Sequence, residues 1–212
     1  SYSSAEAALL HGADAVYVGV GELNLRARAP NLSIEELHDL LRSAHDGGKR
    51  VYCVLNSMPD DQGLEAVRSL LAAIVRAKAL PDAFIVGDPG VVSVCGDMCP
   101  RVALHLSTQT GTFNTAALAF WRSRGISRVI VPRELTLAQI AAFGRKKICE
   151  IEVFVHGAMC VSVSGRCLLS AWQAGRSGNK GDCAHSCRWN YRLAVEEAKR
   201  PGHYYPVEEG DG

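Results

Sequence analysis

The sequence predicts an α/β protein whose parallel strands curl into a barrel of the TIM type. Three observations point there. Short β-branched runs alternate with amphipathic segments from end to end, as βαβ units do. The strand runs are apolar through most of their length, as strands covered on both faces must be. And no Gly-rich phosphate turn follows the first strand: "GVGELNLRA" lacks G-x-G-x-x-G and "GRSGNKGD" lacks P-loop spacing, which disfavours an open, doubly wound nucleotide-binding sheet. A complete barrel takes about 250 residues, and this chain has 212. It opens on a helix and ends on a polar stretch, so the expectation is a barrel without its first strand and its last unit.

In order, the strand candidates are "AVYVGV", "RVYCVLN", "AFIVGD", "ALHLST", "RVIVPR" and "CEIEVFVHG". The helices between them carry start signals. Ser33 and Glu36 stand in capping-box relation ahead of an Ile34, Leu37, Leu41, Ala44 stripe. Thr136 and Gln139 repeat the device, and "NTAALAFWRSRG" opens on Asn114 and stops at Gly125. The organisation follows: barrel units over residues 1–158, a Cys-rich segment over 159–192, and a polar tail over 193–212.

Composition narrows the classes. Hydrophobic residues make up 48% and charged residues 21%, typical of a globular core, and the net charge of +1 favours no class of partner. The stretch from Arg166 to Arg192 is locally basic, with Arg176, Lys180 and Arg188 against Asp182 alone. No apolar run reaches the ~18 residues of a membrane span. No signal-peptide pattern opens the chain, so a cytoplasmic protein with reduced cysteines is expected.

In a barrel, the residues that end the strands share one rim, where chemistry is built. Here they are Asn24 and Arg26, Asn56, Asp88, Ser107 to Gln109, Arg133 with Glu134, and His156. Asp88 and Ser107 suit ordinary loop-facing strand ends. Arg26, Asn56 and Arg133 are the candidate substrate-binding residues, since multi-donor side chains in a barrel mouth suit a carboxylate or phosphate. His156, Gln109 and Glu134 are the candidate catalytic residues, Glu134 being equally suited to a local ion pair with Arg133.

Eight cysteines divide into two groups. Cys53, Cys95, Cys99 and Cys149 fall in strand or helix sequence and suit small core positions. Cys160, Cys167, Cys183 and Cys187 fall within 28 residues rich in Gly, Ser, Asn and Arg, where no hydrophobic role calls for a thiol. Four thiolates can hold an iron–sulfur cluster or a zinc ion. Only "CAHSC" approaches a zinc knuckle and the wider spacing suits a cluster, with a disulfide and unligated thiols as the remaining readings. Ser162, Ser164 and Gly165 are placed to offer donors to cluster sulfurs.

"EVFVHGAMCVSVSGRCLLS", from Glu152 to Ser170, resembles the signature of peptidase family U32, the collagenase-like peptidases. "GADAVYVG", "LSTQTGTFN", "VPRELTLAQI" and "NKGDCAHSCRWNY" resemble the family's other motifs in order, so nearly the whole chain is covered. The family pattern also contains an opening strand and a closing strand-and-helix segment that this chain lacks. The resemblance implies collagenase-like proteolysis on one side. On the other it implies hydroxylation of transfer RNA, ribosomal RNA or a quinone precursor, with prephenate serving the RNA-modifying members and 4Fe-4S clusters on cysteine. Carried over residue by residue, it makes Cys160, Cys167 and Cys183 cluster ligands, with Cys187 as the fourth or a ligand from outside this stretch.

A peptidase would need a nucleophile with a base in reach, and Cys160 with His156 or His185 is the available pair. One nucleophile explains one thiol, whereas ligation explains four. The hydroxylase reading is therefore preferred, with Arg176, Lys180 and Arg188 contacting RNA phosphates beside Trp172 and Tyr191, while Trp189, which follows Cys187 and Arg188, suits packing over the site. A cluster-carrying subunit active only as half of a heterodimer is the third reading.

Overall fold

The computed structural model describes the chain apart from Glu22, residues 26–28, Leu193 and residues 208–212. Among the described residues six parallel strands pair strictly in sequence order: β1 (Ala15–Gly19), β2 (Arg50–Leu55), β3 (Ala83–Val86), β4 (Ala103–Leu106), β5 (Ile126–Ile130) and β6 (Glu150–Glu152). A doubly wound sheet reverses its order at a switch point. This one never does, and it curls into a half-barrel, the expected incomplete barrel. α1 (Tyr2–Leu10) precedes β1, and α2 (Ile34–Asp46), α3 (Asp61–Arg76), α4 (Pro89–Met98), α5 (Thr115–Ser123) and α6 (Leu137–Lys146) are the crossovers.

The helices start where their side chains cap them. Ser33 and Thr136 each form a complete capping box, with Glu36 and Gln139 respectively. Asn114 accepts from the Ala117 amide, and Asp60 from Gly63. Asp88 caps α4 directly before Pro89, a residue whose missing N–H costs nothing at that position. Cys95 lies buried in α4, and Cys99 ends that helix, also buried.

Most of the core lies between the helices and the outer face of the sheet. Leu37, Leu71, Ile74, Phe84, Leu118 and Ile126 are completely buried there. The inner face is thinner and more polar. Tyr52, Ala83, Ile85 and Ile130 form its apolar layer. Below them Arg128 binds Glu150 through Nε and Nη2 (2.8 and 2.7 Å) and Glu152 through Nη1 (3.3 Å). Nη1 also reaches the Tyr52 hydroxyl at 3.3 Å, with the guanidinium over the Tyr52 ring. His105 meets Tyr52 edge-to-face at 4.8 Å, and its Nδ1 has no partner among the described residues.

β6 is shorter than the run "CEIEVFVHG" suggests: Val153, Phe154 and Val155 leave the sheet and are exposed. The segment after it holds α7 (Leu169–Ala174) and several 3-10 turns. The polar tail contains a two-stranded antiparallel hairpin, β7 (Ala194–Glu196) with β8 (Tyr204–Pro206), exposed throughout. Among the described residues no helix is long and apolar enough to cross a membrane.

His105 gives the inner face a pH signature. Burial first, and then the nearby Arg128 and Arg50 charges, push its imidazole down from 6.5 to about 4, against an opposing pull from Glu150. As pH falls below 6.5 the unfolded chain binds this proton first, so stability declines through about 4. Urea unfolding of His105→Gln should show a shallower loss of stability between pH 6.5 and 4 than the unaltered protein. Identical slopes would mean His105 is not held neutral.

Candidate functional site at the barrel mouth

The C-terminal strand ends form one rim, and the Cys-rich segment is laid across it by polar contacts. The Met58 amide after β2 donates to the Asn179 carbonyl at 3.1 Å. Lys180 binds Asp60 at 2.8 Å. After β4, the Gln109 carbonyl accepts Arg166 Nε at 2.9 Å, and its side-chain Nε2 donates to the Gly165 carbonyl at 3.4 Å. After β5, Glu134 accepts the Ser164 amide at 2.7 Å. Ser164 is buried in a left-handed conformation (φ 50°), so this turn is held in place from both sides.

Several predicted site residues therefore serve as docking points. Gln109 and Glu134 are brought together with the segment, Gln109 being buried with its Oε1 unpartnered among the described residues. Asn56 spans the mouth, donating to the Ser107 hydroxyl at 3.2 Å and accepting the Leu25 amide at 3.3 Å. Arg133 lies with its guanidinium 4.4 Å over the Phe154 ring. His156 is exposed and makes no hydrogen bond to Cys160 among the described residues. Arg26 lies outside the described residues.

The basic side chains are less free than their sequence suggests. Arg176 pairs with Asp182 at 2.9 Å and reaches the Cys183 carbonyl at 3.4 Å. Lys180 is taken by Asp60, and Arg188 donates to the Met159 carbonyl at 3.1 Å. Trp172 remains largely exposed and Trp189 half so.

The cysteines separate chemically as well as in sequence. Burial pushes the Cys53 and Cys95 thiols up to about 12, and raises Cys99 and Cys149 too. These are core thiols, poor as nucleophiles or ligands. At Cys160 burial also acts upward, but the Ser162 hydroxyl and amide, with Arg133 and Arg188, outweigh it and hold the thiol below its usual value. Its sulfur lies 3.1 Å from the Ser162 hydroxyl.

Cys167 and Cys183 also accept a hydrogen bond at sulfur. The Leu169 amide donates to Cys167 Sγ at 3.3 Å, and the His185 amide to Cys183 Sγ at 3.4 Å. Each of the three thus has a donor two residues further on, an arrangement that suits thiolates carrying charge to a metal. That donor chemistry fits a cysteine-held cluster, with Cys187 exposed nearby in sequence. The positions are not closed around a point: among the described residues no three His, Cys, Asp or Glu groups gather as a metal site.

The family model for peptidase family U32 matches residues 1–211. The chain belongs to that family. Its relatives include "tRNA hydroxylation protein P1" of Bacillus subtilis, 38% identical over 88% of this chain and 44% of that protein. "Collagenase" of Porphyromonas gingivalis is 36% identical over 93% of this chain and 50% of that protein. The U32 chain thus spans about half the length of the curated relatives it matches. The solved U32 peptidase Mk0906 shares the fold, with a TM-score of 0.53 at 18% identity over 67% of this chain and 60% of that one.

Asn179 and Asp60 escaped the sequence reading as site residues, and Arg166 entered it only as the start of the basic run. Asn179 has the widest reach, accepting the Cys167 amide on Oδ1 at 3.1 Å and the Met58 amide on its carbonyl. Only its place in a Gly-rich stretch between two cysteines hinted at it.

Gly165 provides a test of the docking. Its φ of +79° is unfavourable for other residues, and an added Cβ would stand 2.8 Å from Gln109 Nε2. Gly165→Ala should cost about 1–2 kcal/mol for the left-handed backbone alone, read by urea unfolding. It should also hasten proteolysis within residues 159–192 more than elsewhere.

Proposed function

We propose that this U32 chain is the barrel portion of an RNA-hydroxylating protein, with a cysteine-held 4Fe-4S cluster at its mouth. What supports the reading most is that Cys160, Cys167 and Cys183 each carry a donor to sulfur on a segment docked at the strand ends. The kinship with a protein named for tRNA hydroxylation points the same way. Cys160, Cys167 and Cys183 would hold the cluster, with Cys187 or a ligand outside this stretch as the fourth. When bound, such a cluster supplies electron transfer or polarises a bound oxygen group. Zinc on the same thiolates would supply structure alone.

The chain's own residues have assignable roles. Gln109 and Glu134 hold the segment over the mouth, and Ser162 steadies the Cys160 sulfur. Exposed Trp172 and Trp189 offer faces for stacking bases, and Arg188 and Arg192 offer charge for phosphates. A small dicarboxylate such as prephenate is the proposed oxygen donor, and a quinone precursor is the alternative acceptor. Activity would depend on a partner subunit if the chain works as half of a heterodimer.

The second reading, a peptidase using Cys160 and His156, draws on the lowered Cys160 thiol and on the collagenase relative. His156 is exposed and makes no hydrogen bond to Cys160 among the described residues, which argues against it, because a base must reach its nucleophile.

Protein purified without oxygen should be brown and contain iron. Cys160→Ala, Cys167→Ala and Cys183→Ala should each bring bound iron near background, while Cys53→Ala should retain it. Deleting the gene should remove one oxygen from an RNA nucleoside or a quinone precursor, seen by mass spectrometry. Zinc in place of iron would overturn the cluster. Metal-independent gelatin cleavage abolished by Cys160→Ser would reinstate the peptidase.

A further inference from the structure

A cavity of about 300 Å³ opens between the ends of β2 and β3 and the Cys-rich segment. Its lining is Met58, Gly87, Asp88, Pro89, Arg166 and Asn179. Volumes of this size lie at the small end of ligand pockets. The polar groups in it are already oriented by contacts outside it. Arg166 donates Nε to the Gln109 carbonyl at 2.9 Å, which fixes the guanidinium plane. Its two Nη groups make no hydrogen bond or ion pair among the described residues. Asp88 spends Oδ1 on the Gly90 and Val91 amides at 2.8 and 3.2 Å. Its Oδ2 has no partner among the described residues.

The two opposite charges line one cavity without forming an ion pair, although neither has another charged partner among the described residues. Left apart and anchored, they suit a ligand with complementary ends. An Arg fork pairs best with a carboxylate, through two parallel bonds. A carboxylate oxygen such as Asp88 Oδ2 accepts only, so the ligand's other end must donate, as a hydroxyl does. Met58 and Pro89 add apolar wall.

We propose that this cavity binds a small hydroxycarboxylate, with Arg166 taking the carboxylate and Asp88 the hydroxyl. This rests on the reading that a small carboxylic acid serves the reaction. It moves recognition of that acid from Arg133, whose guanidinium covers Phe154, to Arg166. It also places the ligand beside Cys167, which follows Arg166 directly and whose amide is bound by the cavity-lining Asn179.

Calorimetry on the purified protein, with no RNA present, tests the site with mandelate as probe. Phenylacetate lacks the hydroxyl and benzyl alcohol lacks the carboxylate. Mandelate should bind saturably, phenylacetate more weakly, and benzyl alcohol not at all. Arg166→Gln should weaken mandelate about tenfold or more, as loss of a bidentate charged pair does. Arg166→Lys keeps the charge without the fork and should lose most of the same affinity, which covers the case of a poorly folded Gln variant. Asp88→Asn keeps an oxygen for the α4 cap and should erase the preference for mandelate over phenylacetate. Arg145→Gln, on the exposed end of α6, should bind as the unaltered protein does.

Absence of saturable mandelate binding, full affinity in both Arg166 variants, or equal loss in Arg133→Gln would each overturn the site. Mandelate binding with these variant effects, alongside unchanged RNA nucleosides and quinone precursors in a deletion strain, would keep the site and discard the hydroxylase reading.

Discussion

Strictly sequential parallel pairing is the constraint on which the rest of this protein depends. Because β1 to β6 neighbour each other in chain order, every strand ends on the same rim, and every strand-to-helix loop opens there. That alone brings Asn56, Asp88, Gln109 and Glu134 into one region from far-apart places in the sequence. The buried layer between helices and sheet makes the rim rigid. Leu71, Phe84 and Leu118 have no freedom to move without opening a void.

The Cys-rich segment is built on a different principle. The residues buried within 159–192 are Ser164, Ser170, Gly181 and Ser186, with no large apolar side chain among them. It is held instead by hydrogen bonds. The Ser170 hydroxyl, for example, donates to the Arg176 carbonyl at 2.7 Å and accepts the Ala184 amide at 2.8 Å. Such bonds contribute about 0.5–1.5 kcal/mol each, so the segment forms a low-stability unit on a stable base. A group that binds only its ordered form would stabilise it by mass action.

What could be read from the sequence follows the range of the interactions involved. Strands, capping boxes and the Asn114 cap depend on neighbours within a few residues, and each was legible. So was the split among the cysteines, because loop context and core context differ locally. The donors to sulfur two residues on also belong to this short-range class, and Ser162 was readable for that reason. The length of β6 was not, since Val153 to Val155 look like strand but lack a described neighbour to pair with. Nor was the partner of Lys180. Charge is visible in a sequence, but the carboxylate that neutralises it is not when, like Asp60, it lies 120 residues away. Asn179 remained hidden because an Asn among glycines reads as a turn, whatever its side chain holds.

Asp60 has two obligations at once. One oxygen caps α3 through the Gly63 amide at 2.9 Å, and the other holds Lys180 at 2.8 Å. The Lys180 contact, and then the Gly63 amide, keep its carboxyl below the usual range. A single side chain therefore ties the first turn of a core helix to the tip of a surface loop. The two ties answer to different conditions. Added salt screens the exposed charge pair while leaving the short cap bond intact. The loop end of this link is thus an electrostatic spring and the helix end a fixed pin, so added salt weakens one of the segment's several ties without loosening the frame beneath it.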